Sequence, residues 1–220
     1  MFIGHYAPAL AMRVFNPSGP RLGALFLAAQ AVDFGFFGLS LLGIERSAHN
    51  PALEGIMPID LLYMPFTHSL IPATLVWALA GALVASILAP KGHKAAFGWG
   101  VGLVVASHWF VDLLVHRPDL GVLWETPKLG FGLWNYPVAA MSLELTFLLI
   151  PLWLYVAHRK FVSLRAAIPL IILVGTLLLA QGVNWFTPAP TDLLASAIPP
   201  LLAYSAFAAL AFWVDKKAIT

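Results

Sequence analysis

Three residues in one stretch of the chain have the types and the spacing that a metal site requires. His108, Asp112 and His116 follow one another at intervals of four residues. In an α-helix, residues four apart lie on the same face, so the imidazole of His108 and the carboxylate of Asp112 point the same way. Imidazole nitrogens and carboxylate oxygens are ligands that zinc, manganese and iron accept. The spacing alone leaves two interpretations open, a metal site or a His–Asp hydrogen bond inside a helical bundle.

Further ionisable residues lie in stretches that are otherwise apolar. Asp33 and Glu144 are surrounded by apolar residues, and His68 stands in the segment Phe66-Thr67-His68-Ser69, where Thr67 or Ser69 either orients the imidazole or bonds to the backbone. A carboxylate at the centre of a membrane-spanning helix costs about 2.5–3.5 kcal/mol on the insertion scale. No basic partner is evident at matching depth, so these groups either protonate and hydrogen-bond or share a cation. We therefore expect them to converge on one site.

The elements that position these residues are predicted by the composition. Of the 220 residues, 60% are hydrophobic and only 10% are charged, whereas about 25% are charged in soluble domains. Several apolar runs exceed the length of about 18 residues that marks a membrane-spanning helix. The sequence therefore predicts an all-α fold, a single integral-membrane domain over residues 1–220 with about six transmembrane helices. The predicted spans are Arg21–Gly43, Pro65–Pro90, Ala95–His116, Tyr136–His158, Leu164–Phe186 and Leu193–Val214.

The absence of cysteine excludes disulfides and thiolate metal ligands. The net charge of +2 is small and scattered, and nucleic-acid binding requires a clustered basic face. No Gly-x-Ser-x-Gly segment occurs, which argues against a serine hydrolase of that type.

The basic residues divide unevenly between the two sides of this six-span arrangement. Nine lie on the side of the termini, namely Arg13, Arg21, Lys91, Lys94, Arg159, Lys160, Arg165, Lys216 and Lys217. Three lie on the other side, namely Arg46, Arg117 and Lys128. Because cytoplasmic loops carry the excess of lysine and arginine, we expect both termini in the cytoplasm.

Three segments outside the spans bear on the site. Residues 2–14 are apolar but too short to span, so they predict an interfacial or a re-entrant helix. A re-entrant helix that rises from Arg13 lifts His5 by about 12 Å, to a depth similar to that of Asp33. The long outer connections, residues 44–64 and 117–135, are expected either to cover a site or to pack at the membrane interface.

The order of these motifs resembles that of the YdjM-like membrane-bound metal-dependent hydrolases, also described as LexA-binding inner-membrane proteins. The matching segments are Gly4-His5, Asp33, Thr67-His68-Ser69 and Ser107-His108 with Asp112, followed by Pro118, Trp124 and Pro127. The resemblance covers about the first 140 residues. The chain departs from the family where it has Val32-Asp33-Phe34 instead of an Asp-x-Asp-His cluster, and Tyr63-Met64-Pro65-Phe66 instead of His-Arg-Gly.

The resemblance implies a metal-dependent hydrolase of the bacterial inner membrane. Its expected ligands are His5, Asp33, His68, His108 and Asp112. Glu144 is expected to be the general base or a further ligand. The expected cofactor is a divalent cation, zinc, with manganese and iron as alternatives. Because the site is expected at the depth of lipid acyl chains and headgroups, a lipid or lipid-linked ester or phosphoester is the expected substrate. Membrane lipids, membrane proteins or a second copy of the chain are the expected partners.

Three alternatives stay open at this stage. His68 and His108 lie on neighbouring antiparallel spans and have the residue type that ligates haem iron. Buried acids also relay ions in transporters. Finally, the polar cluster is compatible with a non-catalytic subunit of a larger membrane complex.

Overall fold

A computed structural model describes residues 1–159 and 161–216, so Lys160 and Lys217, both used to predict orientation, lie outside the described residues. The described chain is all-α, as predicted. Its helices are α1 (Tyr6–Phe15), α2 (Leu22–Ala29), α3 (Ala31–Leu41), α4 (Leu75–Leu88), α5 (Lys94–Val115), α6 (Pro137–His158), α7 (Leu164–Phe186) and α8 (Leu193–Asp215). A π-helical turn, Leu70–Thr74, leads into α4, and a 3₁₀ turn, Ile3–His5, leads into α1.

Five of these helices are long and apolar enough to cross a membrane: α4 with its preceding turn, α5, α6, α7 and α8. The pair α2 and α3 becomes a sixth span if it is counted as one bent helix, with an angle of 47° between its halves. The bend lies at Gln30, whose backbone angles (φ −107°, ψ 7°) interrupt the helix. The protein is therefore an integral membrane bundle, and the prediction of about six spans is confirmed.

The N-terminal segment lies inside the bundle. Ile3, Tyr6 and Ala9 are all 0% exposed, and α1 packs against α6 and α2. The ring of Tyr6 stacks on Phe26 of α2 with a centroid separation of 4.2 Å. This placement corresponds to the re-entrant alternative, in which His5 is carried into the interior.

The two outer connections contain β-hairpins that the sequence did not predict. Strands β1 (Arg46–His49) and β2 (Ile59–Tyr63) pair antiparallel, and so do β3 (Leu120–Gly121) and β4 (Lys128–Leu129). Such short strands have too few residues for a clear alternation of apolar and polar side chains.

Arg117 ties the two connections together at the end of α5. Its guanidinium donates to the carbonyls of Met57 (2.9 Å) and Glu54 (2.6 Å) and to the Asn135 side chain (2.8 Å). The backbone N–H of Ile56 also donates to the Trp134 carbonyl at 3.0 Å. The connections therefore form one cover over the outer end of α5.

Small residues allow α4 and α5 to approach closely. A Cβ atom added at Gly102 would lie 3.1 Å from the Ala82 Cβ atom and 3.4 Å from the Ala78 carbonyl oxygen. Small residues have this role at helix interfaces in membranes because lipid offers no hydrophobic drive for association. This contact matters for the site because α5 carries His108 and Asp112.

Replacing Gly102 by leucine should destabilise the bundle. Overpacking of a close contact typically costs about 1–3 kcal/mol, and we expect the melting temperature of G102L in detergent to fall accordingly. Gly175→Leu in α7 is the matched control, because a Cβ atom there meets nothing within 4 Å. Equal melting temperatures for the two variants would contradict the close α4–α5 contact.

Candidate metal centre

Four imidazoles converge on the carboxylate of Asp112. The Nε2 atoms of His5 and His116 lie 3.0 and 3.5 Å from Asp112 Oδ1. The Nε2 atoms of His108 and His68 lie 3.2 and 3.6 Å from Asp112 Oδ2. All five residues are buried, with at most 5% of their surface exposed. The two carboxylate oxygens of Asp112 thus each face a pair of imidazoles.

A second carboxylate, Asp33, completes the cluster. Its Oδ1 atom lies 3.4 Å from Nε2 of His108 and 3.5 Å from Nε2 of His68. Its Oδ2 atom accepts a hydrogen bond from the Tyr204 hydroxyl at 3.2 Å. Two overlapping sets have their ligand atoms within 4.8 Å of one another and can hold a metal ion: His5, Asp33 and His108, and His68, His108 and Asp112. The predicted ligand candidates are therefore brought together, although they come from four different parts of the chain.

Irregular backbone delivers several of these side chains. His5 ends the 3₁₀ turn before α1, and Asp33 lies in the first turn of α3, just after the break at Gln30. His68 was expected in the first turn of the second span, but it lies in a turn ahead of the helix. The reason is local: Ser69 accepts the Ala73 N–H at 3.1 Å and so starts the helix at the next residue.

Three of the four imidazoles are oriented by a hydrogen bond at Nδ1, on the side of the ring that faces away from the cluster. His108 Nδ1 lies 2.9 Å from the Ala29 carbonyl at the end of α2, and His116 Nδ1 lies 2.8 Å from Asp119. His68 Nδ1 lies 2.7 Å from the Thr67 hydroxyl, which donates to Glu45 at 2.6 Å. Because each Nδ1 faces an acceptor, it carries the ring proton, and the lone pair of Nε2 is left to face the cluster. Metal-binding histidines characteristically have such outer partners.

Glu45 is itself fixed in place at the start of the first outer connection. It accepts the backbone N–H groups of Phe66 (2.8 Å) and Thr67 (3.0 Å) besides the Thr67 hydroxyl. Burial raises the pKa of Glu45 above its usual value, and the hydrogen bonds from Thr67 oppose that rise. The chain Glu45–Thr67–His68 is therefore a continuous hydrogen-bonded support for one imidazole.

Sequence reasoning missed His116 as a candidate ligand and missed its partner Asp119 and the distant Glu45. The available signal for His116 was its position four residues after Asp112, which places it on the same face of the helix as His108 and Asp112. Asp119 follows His116 by three residues beyond the end of α5. No signal in the sequence indicated Glu45, because its contact with Thr67 depends on the folded turn.

The residues present fit a divalent cation. Within the described residues, His5 Nδ1 is buried without a hydrogen-bond partner, and His5 Nε2 and His108 Nε2 form no hydrogen bond although carboxylate oxygens lie 3.0–3.4 Å away. Buried polar atoms are normally paired, and an imidazole nitrogen without a proton donor is suited to a metal. Asp112 Oδ1 also lies 2.5 Å from the Met1 amino group. Four nitrogen donors and two carboxylates form a ligand set that suits zinc, manganese or iron.

Glu144, the predicted general base, lies on the N-terminal side of the cluster. It is 3% exposed. Its two oxygens accept the backbone N–H groups of Phe2 (2.8 Å) and Gly4 (2.9 Å). Among the described residues it belongs to neither of the two sets that can hold a metal ion. Its role in proton transfer stays a prediction, whereas its contacts with residues 2–4 are clear.

A cavity of about 1330 Å³ adjoins the cluster. Asp33, His68, Asp112 and His116 line one end of it. Its other walls come from α3, α7, α8, the β1–β2 hairpin and the connection between α7 and α8, and they include the apolar residues Phe36, Phe37, Met64, Leu179 and Val183. The arrangement is a mostly apolar chamber with a small group of charged side chains at one end.

The outer support of His68 should be measurable as metal affinity. Replacing Thr67 by valine keeps the shape but removes the hydroxyl between His68 and Glu45, and we expect zinc to bind about 10–100-fold more weakly. The measurement is a zinc titration against a competing chelator in detergent. Thr146→Val is the matched control, because that exposed hydroxyl bonds only to the Ser142 carbonyl in its own helix. Unchanged affinity in T67V would contradict the role of the hydroxyl.

Comparisons of the chain with protein-family models, with curated proteins and with solved structures find no match. The resemblance to the YdjM-like family therefore stays a prediction.

Proposed function

We propose that this protein is a metal-dependent hydrolase embedded in the membrane and acting on a lipid or lipid-linked ester or phosphoester. The observation that carries the proposal is the convergence of four imidazoles on the buried Asp112, two of which also face the partly buried Asp33, at one end of a large cavity. The resemblance of the ordered motifs to the YdjM-like hydrolases supports the same conclusion.

The ligands in this proposal are His5, Asp33, His68, His108 and Asp112, and the position of His116 adds it to the set. We propose zinc as the cation, with manganese and iron as alternatives. When bound, the cation supplies Lewis acidity, which polarises the scissile group and makes water a better nucleophile near neutral pH.

Asp33 is better placed than Glu144 to move a proton at the cavity. Asp33 lines the cavity, its side chain is 13% exposed, and its Oδ2 atom faces the Tyr204 hydroxyl. Glu144 is only 3% exposed, and each of its two oxygens is held by a backbone N–H group. In this proposal Asp33 Oδ2 accepts a proton from water, while Oδ1 remains directed at His68 and His108.

The cavity supports a lipid-like substrate. Its volume of about 1330 Å³ exceeds the range of about 300–1,000 Å³ that is usual for drug-sized ligands. The apolar walls from α3, α7 and α8 suit acyl or isoprenoid chains, and the charged end suits an ester or phosphoester group. Lipids also reach an intramembrane cavity without crossing water.

We propose a bacterial inner membrane because the resemblance to the YdjM-like family implies one, and cytoplasmic termini because lysine and arginine are unevenly distributed. Seven of the nine basic residues on the terminal side lie within the described part of the chain. Membrane proteins or a second copy of the chain are the proposed protein partners.

The arrangement disfavours the haem alternative. The rings of His68 and His108 lie at 70° to each other with centroids 5.4 Å apart. Their Nε2 atoms face the same two carboxylates. A haem with two histidine ligands needs them on opposite faces of a planar ring, without carboxylates between them.

Elemental analysis of the purified protein in mild detergent tests the metal site. We expect about one equivalent or more of zinc, manganese or iron, lost in the double variant His108→Ala, Asp112→Ala. The control is His93→Ala, Glu54→Ala, which removes an exposed imidazole and an exposed carboxylate elsewhere. If the wild type holds no metal after growth and dialysis in zinc, manganese or iron, a non-catalytic subunit becomes the better assignment.

Hydrolysis is the second test. The loaded protein, reconstituted in vesicles, is offered glycerophospholipids and acyl esters, and release of the fatty acid or headgroup is followed by mass spectrometry. We expect turnover to depend on the added cation and to fall by at least about 100-fold in Asp33→Asn. Metal binding without turnover of any ester or phosphoester would contradict the hydrolase while leaving the metal site intact.

A further inference from the structure

The helical segment that carries His5 begins inside the protein rather than at its surface. The first N–H groups of a helix have no acceptor within the helix itself. In the interior of a membrane protein water does not replace the missing acceptor, so other parts of the protein must supply it. The backbone N–H groups of residues 2–4 therefore need acceptors from other parts of the protein.

Two side chains from distant helices supply these acceptors. Glu144 of α6 accepts the N–H groups of Phe2 and Gly4 at 2.8 and 2.9 Å. Gln181 of α7 accepts the N–H group of Ile3 at 3.2 Å. Three consecutive backbone donors are thus paired, one after the other, by two buried side chains.

The charge of Glu144 suits this position. The carboxylate is buried, and within the described residues it forms no ion pair with a lysine or arginine side chain. The N-terminal end of a helix carries a partial positive charge, which stabilises an anion placed there. The absence of a side chain at residue 4 permits the close approach, because a Cβ atom on Gly4 would lie 3.2 Å from Glu144 Oε2 and would overlap the Met1 side chain.

His5 differs from the other imidazoles of the cluster in how it is held. His68, His108 and His116 each have an acceptor at Nδ1, whereas His5 Nδ1 has none among the described residues. Its ring is held by stacking on His108, with centroids 3.9 Å apart and planes 2° from parallel. Its Nε2 atom also faces Asp112 Oδ1 at 3.0 Å, and the further constraint on its position is the backbone that carries it.

We propose that Glu144 and Gln181 are positioning residues that dock residues 2–4 and thereby hold His5 in the metal centre. This inference rests on the proposed metal site. It assigns Glu144 a role different from general-base chemistry. Glu144 fixes the backbone of residues 2–4 so that His5 Nε2 faces Asp112. Docking of the segment and cation binding are then coupled, since each stabilises the same arrangement.

Zinc affinity in a double-variant cycle tests the coupling. Glu144→Gln keeps one acceptor oxygen but turns an amide NH₂ group toward the other N–H, so we expect zinc to bind about 10–100-fold more weakly. His5→Ala should weaken binding as well, and Glu144→Gln should add little in the His5→Ala background, because its effect acts through His5. An undiminished effect of Glu144→Gln in that background would overturn the proposal.

A second experiment measures the docking of residues 2–4 directly and requires neither bound metal nor enzymatic activity. The chain has no cysteine, so Ala9→Cys, at a position that is 0% exposed, supplies a single thiol within α1. We expect maleimide to label it slowly in the parent and at least about tenfold faster with Glu144→Gln, because undocking exposes the segment. Glu54→Gln, an exposed carboxylate, is the matched control. Unchanged labelling with Glu144→Gln would overturn the docking role.

Gln181→Leu provides the second variant in case Glu144→Gln does not fold. It removes only the acceptor for Ile3 and should speed labelling and weaken zinc binding in the same direction, by smaller factors; no change in either would also overturn the proposal. A wild type that binds no zinc but shows the labelling pattern would remove the proposed function and leave the docking role standing.

Discussion

The cost of placing two carboxylates inside the bundle, one buried and one partly buried, organises this structure. Asp33 and Asp112 lie in helices that pack within the bundle, where an unpaired charge is expensive. Within the described residues no lysine or arginine side chain is paired with either of them. Four imidazoles and the Met1 amino group face them instead, and the imidazoles come from three places in the chain, because His108 and His116 both belong to α5 and its C-terminal end.

Departures from regular helix bring His5, Asp33 and His68 to the cluster. The 3₁₀ turn at Ile3–His5, the break at Gln30 and the turn before Leu70 all lie next to the cluster. Irregular backbone at membrane depth is tolerated where protein surrounds it. Here the backbone carbonyl of Ala29, at the end of α2, pairs with the His108 ring and orients it. The same irregularity that weakens a helix thus helps to build the site.

The sequence was informative where contacts are local. The four-residue spacing from His108 to His116 placed three side chains on one face of α5, and the apolar runs located the spans to within a few residues. The support of His68 by Thr67 was also anticipated as one of two alternatives, because the residues are adjacent. The acidic residues were correctly identified as unable to lie in lipid without partners.

Other features depended on contacts between distant segments. Glu45 meets Thr67 only because the first outer connection folds into a hairpin, and its strands are too short to show a pattern. Glu144 has the burial of a catalytic acid, but its partners are backbone groups, which no residue type reveals. The position of His68 outside the helix was set by the Ser69 cap, which sequence alone did not distinguish from a helical first turn.

The docking of residues 2–4 has a consequence for the order of assembly. Their acceptors lie 140 to 178 residues further along the chain, and a ribosome makes a protein from its amino end. Residues 2–4 are therefore synthesised well before their acceptors, and their N–H groups stay without these acceptors until α6 and α7 have been inserted. Contacts between such distant residues form slowly in folding. His5 is accordingly held at the proposed metal site only after α7 has been made, so a chain that lacks α6 and α7 does not complete that site.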